Sequence, residues 1–93
     1  MTVEAKFTKM LFERGMFPAQ AESVMDLAKQ EPALAEMERR WQDDESEYPP
    51  ALLAVYWVTI CAAAVKWIDK NLPQAWYRPL FTPEGIAAAD VAS

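Results

Sequence analysis

The sequence predicts an all-α protein: a small helical bundle of about four helices with a long apolar helix in the C-terminal half as its axis. Three observations lead there. Apolar residues recur at three- and four-residue spacing through the first half of the chain. Prolines and a glycine stand at the edges of those periodic runs, where helices start and stop. Pro50 to Leu72 is one continuous apolar stretch, and no segment shows the alternation of a half-buried strand.

The first helix is expected from Val3 to Arg14, with Thr2 as N-cap. Phe7, Met10 and Leu11 fall on one face. Gly15 stands where a glycine in the left-handed conformation ends a helix. The second helix starts at Pro18, whose missing N–H would be unpaired in a first turn anyway. Its inner stripe is Ala21, Val24, Met25 and Ala28. Pro32 restricts the residue before it to extended dihedrals, so a break is expected near Glu31 in preference to one kinked helix from Pro18 to Gln42. The third helix is then expected from Pro32 to about Gln42, with Leu34, Met37 and Trp41 on its inner side.

Asp43-Asp44-Glu45-Ser46-Glu47-Tyr48-Pro49-Pro50 reads as a solvated acidic loop with Tyr48 at its edge. The diproline restarts the chain as the fourth helix, which stops at Pro73. Successive residues on a helix point about 100° apart, so Tyr56 and Trp57 cannot face the same neighbour. Leu53, Trp57, Ile60, Ala64 and Trp67 form a strongly apolar stripe, and Tyr56, Thr59, Ala63 and Lys66 a mildly polar one. Two such faces predict a helix buried on most of its circumference, with neighbours on both sides in the monomer or across a subunit interface. Gln74 to Phe81 is too aromatic for a free tail and is expected as a short turn packed on the bundle. Residues 1–81 thus form a single helical domain, and 82–93 a tail whose short helix buries little and frays.

A chain of 93 residues buries only about 60–65% of the surface its unfolded form exposes. More than half of these residues are apolar and Cys61 is the sole cysteine, so no disulfide adds stability within the chain. A homo-oligomer is therefore expected. A single buried thiol fits a reducing compartment, and Met1 to Lys6 lacks the basic and apolar regions of a signal peptide. The net charge of −5 disfavours direct nucleic-acid binding, which needs basic patches. Ala51 to Val65 is shorter than the roughly 20 apolar residues of a membrane span and is followed by Lys66, Asp69 and Lys70, so no membrane partner is expected.

Catalysis has little support. There is no histidine for base chemistry near neutral pH, no Cys–His pair, no zinc-ligand spacing and no glycine-rich phosphate loop. No enzyme, cofactor or metal is expected. The carboxylates Asp43, Asp44, Glu45 and Glu47 lack the spaced pattern and turn glycine of a calcium loop. Two constellations remain as candidate binding residues. Arg40 and Trp41 offer a cation and a stacking surface, or a core tryptophan with a surface ion pair. Asp69, Trp76, Tyr77 and Arg78 have the composition of interface hot spots. Arg78 either meets a ligand there or clasps Asp69 and so fixes the aromatic segment to the bundle.

Several strings resemble a group of small phage- and prophage-encoded proteins: Gly15-Met16-Phe17-Pro18-Ala19-Gln20-Ala21-Glu22, Arg40-Trp41-Gln42-Asp43-Asp44, Tyr48-Pro49-Pro50, Trp67-Ile68-Asp69 and Ala75-Trp76-Tyr77-Arg78-Pro79-Leu80-Phe81. The resemblance covers residues 7 to 81, and the group has no established activity. It implies a phage product in the bacterial cytoplasm. The expected function is that of an accessory protein that blocks or modulates a host system, such as an antiviral defence. It would do so by masking a host protein or by sequestering a small nucleotide signal. The alternative is a structural or assembly component of the phage particle.

Overall fold

In the computed structural model, which describes residues 1–92 and the side chains of residues 1–88, five α-helices and three 3₁₀ turns follow one another, with no strands among the described residues. The helices are α1 Val3–Glu13, α2 Pro18–Ala28, α3 Pro32–Ala35, α4 Pro50–Asn71 and α5 Pro83–Ala92. The all-α bundle built on a long fourth helix is the observed architecture. The expected tail contains α5, and its last residue, Ser93, lies outside the described residues.

Local chemistry explains most boundaries. Thr2 Oγ1 accepts from the Ala5 N–H at 3.1 Å and caps α1. At the other end Gly15 takes φ +112°, and the Met16 and Gly15 N–H groups donate to Leu11 and Phe12 carbonyls. This Schellman closure satisfies carbonyls that would otherwise be orphaned, and it turns Met16 into the core at 3% exposure. Pro18, Pro32, Pro50 and Pro83 each open a helix. Glu31 is extended at φ −70°, ψ 134°, so the chain breaks before Pro32 as the proline requires.

The third helix is shorter than the sequence suggests. It ends at Ala35 and gives way to a 3₁₀ turn at Glu38–Arg40. Leu34, Met37 and Trp41 are nevertheless all buried. In a 3₁₀ turn residues three apart eclipse one another, so Leu34 and Met37 stay on one side without a continued α-helix. The tighter path carries the next segment to the start of α1.

That segment, residues 41–48, is a strap and not a solvated loop. The Trp41 carbonyl accepts from the Glu4 N–H at 3.0 Å, and the Asp43 carbonyl from the Val3 N–H at 2.9 Å. Two of the N–H groups that an α-helix leaves unpaired at its start are thereby satisfied. Asp44 Oδ2 accepts from the Met1 ammonium at 3.0 Å, and Lys6 pairs with Glu45 at 2.9 Å. Negative charge at a helix start also opposes the positive end of the helix dipole. Tyr48, expected at a loop edge, is 5% exposed. Its hydroxyl donates to Asp43 Oδ2 at 3.3 Å, and the Arg40 guanidinium lies 4.6 Å from its ring centroid. Burial pushes its phenol above the ordinary value.

The core joins one face of every long helix. Phe7 and Leu11 from α1, Val24 from α2, Ile60 and Ile68 from α4, and Phe81 are fully enclosed. Each such side chain contributes about 1.5–3 kcal/mol by leaving water. α4 packs chiefly on α2, and the turn Arg78–Phe81 lies between α4 and α5. Gly85 lets α5 approach that turn, because a Cβ there would collide with the Pro79 carbonyl.

Of the two faces expected on α4, this chain covers one. Trp57, Ile60, Ala64 and Ile68 are buried, but Leu52, Val55 and Val58 are exposed at 36%, 60% and 51%. Among the described residues the helix is covered on one side only. The helix has 22 residues and its most apolar 18-residue stretch has mean hydropathy 1.8, which makes it long and apolar enough to cross a bilayer by length and composition. Core helices of soluble proteins meet the same description.

Candidate functional site

The residues singled out in the sequence fall into two places. Arg40 and Trp41 belong to the strap. Trp41 is 2% exposed and stands edge-on to Phe7 at 6.3 Å, so it offers no face to a ligand. Arg40 lies over Tyr48 and its Nε donates to Asp43 Oδ2 at 3.3 Å. Both residues hold structure there, and as a ligand-stacking pair they are corrected. Among the described residues, no three His, Cys, Asp or Glu side chains gather as a metal-ligand set.

Asp69, Trp76, Tyr77 and Arg78 do come together at the C-terminal end of α4. Pro73 stops the helix, and the Leu72 N–H makes its last hydrogen bond, to the Ile68 carbonyl. Arg78 then reaches back to Asp69 with two parallel contacts, Nε to Oδ1 at 2.6 Å and a terminal nitrogen to Oδ2 at 3.1 Å. This forked geometry is the strong form of an arginine–carboxylate pair. The clasp is therefore what the structure contains. The Arg78 hydrogen bond holds the Asp69 carboxyl below its ordinary range, and the same contact raises the guanidinium.

The sign of the pH dependence follows. A carboxyl whose folded pKa is depressed adds stability above its unfolded value, near 3.9, and loses it as pH falls through the folded value. The C-terminal segment should loosen only in acid, below the ordinary carboxylate range. Arg78→Ala and Asp69→Asn should each lower the thermal midpoint slightly at neutral pH, the pair being solvent-exposed. The double variant should cost less than the sum, and strictly additive losses in circular-dichroism melts would dissolve the clasp.

The clasp positions a cleft of about 510 Å³ between the start of α2 and the segment after α4. Phe17 and Trp76 line it, 71% and 72% exposed, with Leu72 at 39%. The rest of its wall includes Gly15, Gln20 and Tyr77, and none of its lining residues is charged. Tyr77 is 6% exposed and holds the wall from behind. Its ring meets Trp76 edge-on at 5.6 Å and Phe81 at 6.2 Å. Its hydroxyl donates to Gln20 Oε1 at 3.1 Å, and the Phe17 N–H donates to the same oxygen at 3.0 Å. Gln20 thus ties the start of α2 to the aromatic segment.

Phe17, Gln20 and Leu72 are absent from the candidate binding residues read from the sequence. Phe17 carried a signal. It precedes Pro18 at the N-cap of α2, a position that favours a side-chain oxygen, and phenylalanine supplies none. An aromatic ring there has no capping role, and this one projects into solvent.

A second cleft of about 520 Å³ lies between α1, α4 and α5. Phe7, Met10, Leu53, Trp57 and Ile86 line it, with Arg14 set over the Trp57 ring at 4.8 Å. No protein-family model, curated protein or solved structure matches the chain.

Proposed function

We propose that this chain is a non-enzymatic phage accessory protein that works in the bacterial cytoplasm by binding a host protein. An apolar side chain of that partner sits between Phe17 and Trp76. The observation that carries the reading is the pair of exposed aromatic rings on one uncharged cleft. Tryptophan anchors surrounded by polar groups are what interface hot spots are made of, and Gln20, Asn71 and Gln74 supply that rim. The phage and host setting rests on the sequence resemblance.

The cleft favours a protein over a small nucleotide. A phosphate is held most strongly by a cation that replaces its water. Arg78 is held by Asp69, Tyr77 is buried, and no lysine or arginine lines the cleft.

Affinity capture from infected cells tests this. Trp76→Ala and Phe17→Ala should each weaken the captured host protein by roughly tenfold or more, the effect of losing an interface anchor. Their helical content should stay intact, since both side chains are largely exposed. A double variant that retains its partner at full yield would refute the assignment. Co-sedimentation with phage particles in place of a host protein would transfer the cleft to particle assembly.

A further inference from the structure

α4 carries an apolar face that nothing in the described chain covers. Ala51, Val55, Val58 and Ala62 are all exposed and follow at spacings of four, three and four. That is the spacing of a helix–helix seam. Leu52, Val55 and Val58 supply most of its exposed apolar surface. The two ends of this seam carry opposite charge. Glu47 precedes it, and Lys66 and Lys70 follow it. Among the described residues Glu47 and Lys70 make no ion pair, and Lys66, 70% exposed, reaches Glu31 only at 3.5 Å.

We propose that the occupant of this face is α4 of a second copy, packed antiparallel about a two-fold axis. Ala51 faces the partner's Ala62, and Val55 faces the partner's Val58. In that arrangement the end of α4 that carries Lys66 and Lys70 lies at the partner's Glu47 end, and symmetry repeats the contact. A parallel arrangement would instead bring the lysine ends together and the Glu47 ends together, and like charges repel. Charge complementarity therefore selects both the occupant and its direction. A bilayer suits the face less well, because inserting α4 would strip Trp57, Ile60 and Ile68 from the core they complete. The Phe17–Trp76 cleft uses none of these seam residues, so the two surfaces can be tested apart.

The test is disulfide cross-linking of the full chain. Ala51→Cys mixed with Ala62→Cys should give a covalent dimer under mild oxidation. Ala51→Cys alone should not, because the two copies of that position lie about 16 Å apart along the seam, beyond disulfide reach. Cys61 does not compete: it is buried, and desolvation pushes its thiol up to about 12. Val55→Glu should sediment as a folded monomer. Lys66→Glu and Glu47→Lys should each weaken the dimer roughly tenfold, since each variant breaks two exposed pairs. Combining them should restore it. A wild-type monomer at 100 μM would overturn the proposal, with that concentration set on the order of the weakest dimer worth the name. Self-linking of Ala51→Cys, or flotation of the wild-type chain with lipid vesicles, would overturn it as well.

Discussion

Trp57→Ala is expected to lower the free energy of unfolding by about 3–5 kcal/mol, the cost of truncating a large aromatic in a packed core. For a domain of this size that is a drop in thermal midpoint of roughly 15 °C or more. Trp57 is 6% exposed and stacks on Phe7 at 6.2 Å with the rings 9° from parallel. Arg14 lies over its other surroundings, with its guanidinium 4.8 Å from the ring. Removing the indole leaves Phe7 facing a void and Arg14 without its aromatic contact. Tyr48→Ala is the informative comparison. It should cost about 1–3 kcal/mol, the usual range for losing a buried contact with its hydrogen bonds. The gap between the two is narrower than a loop-edge tyrosine would give, because Tyr48 is enclosed beneath Arg40. Circular-dichroism melts of both variants decide the matter. A Trp57→Ala midpoint within a few degrees of wild type would mean that α1 and α4 do not meet through this ring.

The second large effect is expected at Gly15. Its φ of +112° lies in a region that side chains with a Cβ rarely adopt. Gly15→Ala should cost about 1–3 kcal/mol in backbone strain alone. The new Cβ would also stand 2.7 Å from Trp76 Cζ2 and 3.2 Å from Tyr77 Cδ1. Trp76 must move, so this variant should lose partner binding as well as stability, and its tryptophan emission should shift. Gly15→Ala combined with Trp76→Ala separates the causes, for it relieves the clash with the indole and leaves the strain and the close Tyr77 contact. A Gly15→Ala protein with unchanged midpoint and emission would show that the ring does not rest on this turn.

What the sequence disclosed and what it hid divide along one physical line. Gly15, Pro18, Pro32, Pro50 and Pro73 act through their own dihedrals or a missing N–H, so the boundaries they set are readable in place. Trp57 and Ile60 reveal themselves by periodicity. The clasp between Asp69 and Arg78 was one of two readings, since the turn at Pro73 brings the residues near each other whatever else packs there. The strap was hidden. Asp43, Asp44 and Glu45 look like solvated charge until α1 supplies the N–H groups, the ammonium and Lys6 that they meet. Tyr48 and the shortened third helix follow from the strap and were hidden with it. The bare side of α4 was also illegible, because composition says that a helix is apolar without saying which of its faces finds a neighbour. Only the assembled bundle placed Phe17 beside Trp76.

The strap has a consequence for the order in which the chain takes shape. α1 precedes the strap in the chain, yet the carbonyls that complete its opening turn belong to Trp41 and Asp43. A nascent chain emerging from the ribosome cannot close that turn until the strap has followed it out. Before then α1 is a short helix with a side-chain cap and little else, and isolated helices of that length are marginal in water. Closing so long a loop carries an entropic cost that rises only slowly with length. Docking of the strap is therefore the event that joins the two ends of the stretch from Met1 to Tyr48.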